Sequence, residues 1–172
     1  MVDIFGIKFA RFYRSFRGER LTLRRSRLRD MLVLFSLFTP EVLWQTNRVK
    51  PRDFRSLWSF YRWIKTTFQI CYVIRTEEEP ERRILGFVGF YDIDIGRQLW
   101  LSLAIFNPAD RRQGYGSQAL ALVLHSLQKS MGVKAVCVKI HEANTPSLRL
   151  CTKLGFVVRR YSHGYVCLSA RL

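Results

Sequence analysis

A six-residue run with two glycines, Arg111 to Gly116, constrains the fold of this chain more than any other segment. It follows a predicted strand and precedes a predicted helix. The first N–H groups of a helix have no partner within the helix, and the helix dipole makes that end positive. Glycine lets the backbone turn tightly and lets an anion approach. The order strand, glycine loop, helix therefore predicts a cradle for a phosphate or diphosphate group.

The loop does not match the two best-known phosphate-binding patterns. A Walker loop needs a Lys and a Ser or Thr after its last glycine, and the six-residue glycine fingerprint of dinucleotide-binding folds is also absent. Two glycines are common in plain turns, so a purely structural turn stays open at this point. The candidate binding residues are Arg111, Arg112, Gln113, Gly114, Tyr115 and Gly116.

The hydrophobic pattern predicts a mixed α/β sheet with the element order β-α-α-β-β-β-α-β-α-β-β. A helix begins at Asp30 and is stopped by Pro40, and a second helix opens at Pro51. The helix after the glycine loop ends at Gly132, and the last helix starts with Thr145 as its cap. Strands are predicted at 20–25, 69–75, 84–91, 98–106, 134–140, 156–161 and 165–169.

The bulk composition predicts one folded domain with an unusual charge. A chain of 172 residues with 48% apolar residues suits a single domain, which we place at 19–172. No apolar run reaches the roughly 18 residues of a membrane span. The net charge of +16 attracts polyanions such as nucleic acid, anionic lipid or a phosphorylated cofactor.

Residues 1–18 form a basic, aromatic N-terminal extension. It lacks the apolar stretch and cleavage site of a secretory signal. Packing on its own domain or on a partner, and contact with a membrane surface, both stay open. The four cysteines have no CxxC spacing, so the sequence predicts no metal site and indicates reduced thiols in a cytoplasmic protein.

Two motifs carry a resemblance to a known family. The run from Asn107 to Leu120 resembles the coenzyme A motif of the GNAT superfamily of N-acetyltransferases, with Arg111, Gly114 and Gly116 at its defining positions. The run from Asn144 to Phe156 resembles a later block of the same family. The beginning of the chain, from Arg20, resembles the branch that acetylates ribosomal-protein N-termini. Together these similarities cover roughly residues 20–160.

The resemblance implies a mostly antiparallel central sheet, flanked by helices, with a V-shaped split between two central strands. It implies acetyl-CoA as co-substrate and no metal. The backbone of Ala104, Ile105 and Phe106 would hold the pantetheine arm and acyl carbonyl, and the loop amides would hold the pyrophosphate. Asn144 would order the next loop beside the cofactor, unless it is a plain helix cap.

The implied reaction is direct attack of a neutral amine on the thioester, and here the sequence departs from the family. Cys151 stands where many members have a Tyr that acts as the general acid. Cys151 either protonates the leaving thiolate in its place or simply packs in the core. Leu101 stands where some members have a Glu that acts as the general base. The remaining candidate bases are Glu41, Asp92, Asp94 and His141.

A weak base favours an amine that is already partly neutral. An α-amine of pKa about 8 is neutral in about one molecule in ten at pH 7, against one in roughly 2500 for lysine. The sequence therefore predicts an N-acetyltransferase acting on an α-amine of a protein or a small molecule. Two alternatives stay open: an acyl-CoA-binding module without turnover, and a basic nucleic-acid-associated protein. A homodimer, electrostatic contact with RNA or the ribosome, and a role of Trp58, Tyr61 and Trp63 in lining the acceptor cleft also stay open.

Overall fold

A computed structural model describes residues 15–45, 56–77, 83–130 and 132–172. Eight strands in these ranges form one sheet of order β1-β2-β3-β4-β5-β6-β8-β7. The strands are β1 Ser15–Arg17, β2 Leu21–Arg25, β3 Ile70–Thr76, β4 Ile84–Asp94, β5 Gln98–Ile105, β6 Ala135–His141, β7 Val157–Ser162 and β8 Tyr165–Arg171. The helices are α1 Asp30–Leu37, α2 Pro40–Gln45, α3 Leu57–Thr67, α4 Tyr115–Ser130 and α5 Thr145–Lys153, with a 3-10 turn at Pro108–Asp110.

The sheet separates two apolar layers. One face carries α4 and α5, whose buried residues Leu120, Val123 and Cys151 pack on alternate side chains of the strands. The other face carries α1 and α3, and there Phe38 contacts the rings of Phe60, Phe87 and Phe106. Among the helices of the described ranges, none is long and apolar enough to cross a lipid bilayer.

One pair of neighbouring strands, β5 and β6, is parallel, and all others are antiparallel. The parallel register runs from Gln98–Ala135 to Trp100–Cys137. Beyond Trp100, β5 continues beside β4 and β6 continues beside β8. The two central strands therefore diverge, and the V-shaped split expected from the family resemblance is present.

The predicted fold class is confirmed, with three differences in detail. Residues 15–17, assigned to the N-terminal extension, pair with β2 as strand β1 and bury Phe16. Pro40 follows the end of α1 as predicted, but it also begins α2, because proline fits the first turn of a helix. The cap of α5 is Asn144 and not Thr145. The predicted helix start at Pro51 and the helical position Met131 lie outside the described residues.

Candidate active site

The last two residues of the glycine loop, Tyr115 and Gly116, are the first two residues of α4. The Gln118 N–H donates to the Gly114 carbonyl over 2.9 Å, so the N–H groups of Tyr115, Gly116 and Ser117 precede the first bond within the helix. The first turn contains no acidic residue. Gly114 has a φ of +86°, and a Cβ there would meet no atom within 4 Å. The loop thus presents open N–H groups at the positive end of a 16-residue helix.

A cleft of about 470 Å³, here called the loop cleft, lies between this loop, the end of β5 and the start of α5. Its size is typical of pockets that hold small molecules or cofactors. The predicted residues Ala104, Ile105, Arg111, Arg112, Gly114, Gly116 and Asn144 line it, together with Leu103, Asp110, Ser117, Pro146, Ser147, Leu150 and Lys153.

Three predicted cofactor residues do not line the loop cleft. Phe106 packs into the aromatic layer on the α1 and α3 face. The Tyr115 side chain is buried, with its ring 4.8 Å from the Arg20 guanidinium and its hydroxyl 3.3 Å from Arg20 Nη2. Arg20 also donates to the Gln113 carbonyl over 3.2 Å. These two loop residues therefore tie the loop to the start of β2.

Arg111 braces the loop through its side chain. Its Nε–H donates to the Ile105 carbonyl over 3.1 Å, and Nη2 donates to the Phe106 carbonyl over 2.9 Å. Nη1 lies 2.6 Å from Glu41 Oε1 on α2. The guanidinium is thereby directed at the end of β5 and at α2. Arg112 lines the same cleft with an exposed side chain.

A second ion pair controls the charge beside the loop. Asp110 is buried at the edge of the loop cleft, where a bare carboxylate would repel a phosphate. Both of its oxygens accept hydrogen bonds from the Arg83 guanidinium. A bidentate pair of this kind neutralises the carboxylate locally.

Asn144 caps α5 and also lines the loop cleft. Its side-chain oxygen accepts a hydrogen bond from the Ser147 N–H over 3.3 Å. The cap fixes where α5 begins, so a second helix N-terminus opens towards the same cleft as α4. Asn144 is therefore a helix cap and a neighbour of the cleft at the same time.

The diverging ends of β5 and β6 enclose a narrow space, here called the strand gap. It is lined by Leu101, Ser102, Leu103, Leu120, Val138, Lys139, Ile140, Ser147, Leu150 and Cys151. Leu103, Ser147 and Leu150 also line the loop cleft, so the two spaces adjoin.

The peptide group of Leu103 faces the strand gap. Residues of an antiparallel pair point their peptide groups alternately towards the partner strand and away from it. The Phe106 N–H donates to the Leu85 carbonyl over 2.9 Å, so Leu103 and Ile105 point away from β4. The Ile105 carbonyl accepts from Arg111, while Leu103 lies further into the gap. Sequence reasoning missed Leu103 because register decides which peptide faces the gap.

The thiol of Cys151 lies at the strand gap but is only 4% exposed. Burial raises its pKa to about 12. An ordinary thiol has a pKa of about 8.5, so proton transfer from Cys151 to a departing thiolate is unfavourable. Its position suits packing better than acid catalysis.

The candidate bases are dispersed. Glu41 is paired with Arg111, and Asp94 lies 3.3 Å from Arg97 in the β4–β5 turn. The Nδ1 atom of His141 accepts the Ala143 N–H over 3.2 Å, so the main chain engages this nitrogen. Leu101 is buried in the core. Asp92 lines a separate cleft.

That separate cleft, here called the far cleft, lies on the α3 face of the sheet and encloses about 550 Å³. Lys139 lines both the far cleft and the strand gap, so the gap adjoins a cleft on each face of the sheet. The predicted aromatic residues lie elsewhere: Trp58 is exposed and stacks on Tyr61, and Trp63 packs against Phe38. The far cleft is lined by Thr66, Thr67, Tyr91, Asp92, Trp100, Lys139 and Arg160.

Within the ranges that the structure covers, no group of three or more His, Cys, Asp or Glu side chains is placed to hold a metal ion.

Comparison with protein families gives a match to the acetyltransferase (GNAT) domain over residues 20–157. An N-acetyltransferase 9-like protein of Caenorhabditis briggsae is 30% identical over 115 residues, which are 60% of this chain and 57% of the relative. The chain thus spans little more than half of that relative's length. An uncharacterized N-acetyltransferase, YokL, derived from the SPbeta prophage of Bacillus subtilis, is 28% identical over 144 residues, 81% of this chain and 77% of the relative.

Among solved structures, the ribosomal L7/L12 α-N-protein acetyltransferase RimL has a TM-score of 0.75 at 13% identity, covering 92% of this chain and 94% of RimL. RimL has also been crystallised in complex with coenzyme A, and that structure has a TM-score of 0.74. At this identity, the likeness establishes a shared fold.

Proposed function

Since the chain belongs to the acetyltransferase (GNAT) family, we propose that it transfers the acetyl group of acetyl-CoA to a primary amine, an α-amine of a protein or a small molecule. One observation carries the proposal: the strand gap adjoins the loop cleft on one face of the sheet and the far cleft on the other. This arrangement supports a reaction in which the two reactants approach the gap from opposite faces.

In this proposal the loop cleft holds acetyl-CoA as a substrate. The N–H groups of Tyr115, Gly116 and Ser117 donate to the pyrophosphate, and Arg112 adds positive charge. Arg111 keeps the loop and the end of β5 in place through its carbonyl contacts. The Gly114 site leaves room for the phosphate groups, since the position that a Cβ would take there has no atom within 4 Å.

The acceptor enters from the far cleft as a neutral amine. Its nitrogen attacks the thioester carbon, a C–N bond forms and the C–S bond breaks. The Leu103 N–H, which faces the gap, donates to the carbonyl oxygen as negative charge develops there. The proton lost by the amine passes through water towards Asp92, and the departing thiolate takes a proton from solvent. Holding both reactants in one gap supplies a further share of the rate enhancement.

Rates on two peptides test the acceptor class. We expect faster release of free CoA thiol with a peptide that has a free N-terminus than with an N-blocked lysine peptide at pH 7. The reason is that the α-amine is neutral about two hundred times more often. Faster acetylation of lysine would contradict this assignment. RimL acts on a ribosomal protein, so an N-terminal peptide of such a protein is a suitable first acceptor.

One observation favours a second candidate, an acyl-CoA-binding module without turnover. By the family resemblance, Leu101 and Cys151 stand where some members carry proton-transfer groups; here both side chains are buried, and burial raises the Cys151 pKa to about 12. Such a module would be stabilised by acetyl-CoA in a melting experiment but would release no thiol with any amine. Measuring both quantities on the same sample separates the two functions.

A further inference from the structure

The charged residues of the far cleft lie on opposite sides of an aromatic pair. Tyr91 and Trp100 stack with their ring centroids 6.2 Å apart and an interplanar angle of 24°. Asp92 follows Tyr91 on β4, whereas Lys139 and Arg160 belong to β6 and β7. The cleft therefore has a negative side near β4 and a positive side near β7.

Sheet register brings the two cations into one row. Lys139 and Arg160 both stand opposite Cys167 of β8, on its two sides. Residues that pair directly across strands point to the same face. Two strand spacings place the Cα atoms of Lys139 and Arg160 about 10 Å apart. Cys167 is small and buried, so no large side chain stands between the two cations of this row.

A β-bulge determines which arginine joins this row. The register of β7 shifts between Val158 and Arg160, which leaves Arg159 as the extra residue. Arg159 donates from Nε to the Ser169 hydroxyl over 2.7 Å. Bulges redirect side chains in this way at sheet edges, and β7 is the edge strand. Arg160 is thus the residue that pairs with Cys167.

Lys139 belongs both to this row and to the lining of the strand gap. It lines the strand gap as well as the far cleft, and its Nζ lies 4.6 Å from the centre of the Tyr165 ring on β8. The ammonium group therefore lies over the Tyr165 ring, two residues along β8 from Cys167. The gap lies on the other side of β6, so an anion held there would lie one to two strand spacings from it, about 5 to 10 Å. That distance is within the reach of the first two residues of an extended peptide, which rises about 3.4 Å per residue.

We propose that the far cleft selects acceptors with a carboxylate next to the reacting amine, such as an N-terminal peptide with an acidic second residue. Lys139 and Arg160 hold the carboxylate, while the amine points into the strand gap. This inference rests on the proposed acetyl transfer and adds the class of acceptor.

The test compares two peptides that differ at one position, Ser-Glu and Ser-Gln at the N-terminus, followed by the same neutral sequence. We expect kcat/KM to be about five- to tenfold higher for the Glu peptide, mainly through KM, because exposed charge pairs are individually modest. Lys139→Gln and Arg160→Gln should each reduce the preference, and the double variant should abolish it. Lys139→Glu should reverse it towards a Ser-Lys peptide.

Matched controls separate the cleft from the general positive field of the chain. Lys134→Gln and Arg171→Gln remove the same charges from exposed positions outside the far cleft, and should leave the preference intact. Turnover without a Glu preference, or a preference that survives the double variant, overturns the inference and leaves the proposed function standing. No thiol release with any peptide overturns the proposed function and the inference with it.

Discussion

The two clefts on either side of the strand gap are built from different parts of the chain. The loop cleft is built largely from main chain: a short loop, two helix N-termini and the end of β5. The far cleft is built from side chains on α3, β4, β5, β6 and β7. A diphosphate is the same in every reaction cycle and can be held by fixed N–H groups. An acceptor differs between enzymes, and side chains can change without disturbing the fold.

The largest expected effect is at Gly114, where a side chain would block the main-chain N–H groups of the loop cleft. Acetyl-CoA at one hundred times its dissociation constant should stabilise the protein by about 2.7 kcal/mol, roughly 5 to 10 °C in melting temperature. Gly114→Glu should remove this stabilisation, because a carboxylate would occupy the space before the helix N-terminus. Gly96→Glu is the matched control: Gly96 has a φ of +83° and equally open space, but it lies in the β4–β5 turn.

Both glycine variants should lose similar unfolding free energy from the strained backbone. If Gly96→Glu also abolished the shift by acetyl-CoA, or Gly114→Glu retained it, the main-chain cradle would not be the binding site.

Arg111 and Arg112 distinguish support of the loop from contact with its ligand. Arg111→Ala should lower the free energy of unfolding by about 2 to 3 kcal/mol, because the Ile105 and Phe106 carbonyls lose a charged donor. The Glu41 pair adds little, since that carboxylate is 57% exposed. Arg112→Ala should change stability by less than about 0.5 kcal/mol. It should instead weaken acetyl-CoA binding, with an effect that diminishes in high salt.

Chemical denaturation measures the free energy of unfolding of the two variants, and calorimetric titration measures their affinity for acetyl-CoA. An Arg112→Ala protein that is as unstable as Arg111→Ala, and binds acetyl-CoA normally, would contradict the division of roles. Arg111→Lys should recover little of the lost free energy of unfolding, because an ammonium group cannot reproduce the fixed fork of a guanidinium.

On the far side of the gap, Asp92→Asn tests the proposed proton path. Asn tolerates the positive φ of 46° at this position, so the change removes charge with little strain. We expect kcat at pH 7 to fall about tenfold, equivalent to about 1.4 kcal/mol. The deficit should shrink as pH rises towards 8, where the α-amine is increasingly neutral without help.

Asp94→Asn is the control for Asp92, because Asp94 lies on the same strand but pairs with Arg97 in the turn. Equal pH–rate profiles for the two variants would exclude Asp92 from the proton path.

The loop cleft could be predicted from sequence because its residues are nearly contiguous. Arg111 to Gly116 run from the 3-10 turn after β5 into the first turn of α4, and local spacing is sufficient to identify a helix N-terminus. The error at α5 was also local: Asn144 and Thr145 are both good caps, and Pro146 is tolerated at either of the first two helical positions. Only the backbone geometry decides which of the two residues caps the helix.

The far cleft could not be predicted, because it depends on long-range register. Asp92, Lys139 and Arg160 are far apart in sequence and meet through the pairing of five neighbouring strands. The bulge at Arg159 moves Arg160 into the row with Lys139, and no local pattern in the sequence indicates it. The burial of Cys151 also depends on tertiary packing. The sequence alone does not show it, so an acid role for this thiol stayed open there.

Cys151 is the position where the smallest effect on turnover is expected. Burial raises the pKa of its thiol to about 12. Cys151→Ala should therefore keep turnover within about twofold of the wild type between pH 6 and 8, since a thiol that stays protonated is a poor acid. Cys71→Ala is the control, because burial raises the Cys71 pKa to about 12 as well, and Cys71 lies on β3 away from the gap.

Stability should respond to pH even though turnover does not. Above pH 9 the thiol ionises in the unfolded chain, whereas in the folded chain it stays protonated up to about pH 12. The folded state then binds more protons than the unfolded state, so the free energy of unfolding falls as pH rises through this window. Relative to Cys151→Ala, the wild type should lose up to about 1.4 kcal/mol per pH unit. If Cys151→Ala lost turnover while Cys71→Ala kept it, Cys151 would instead be the general acid.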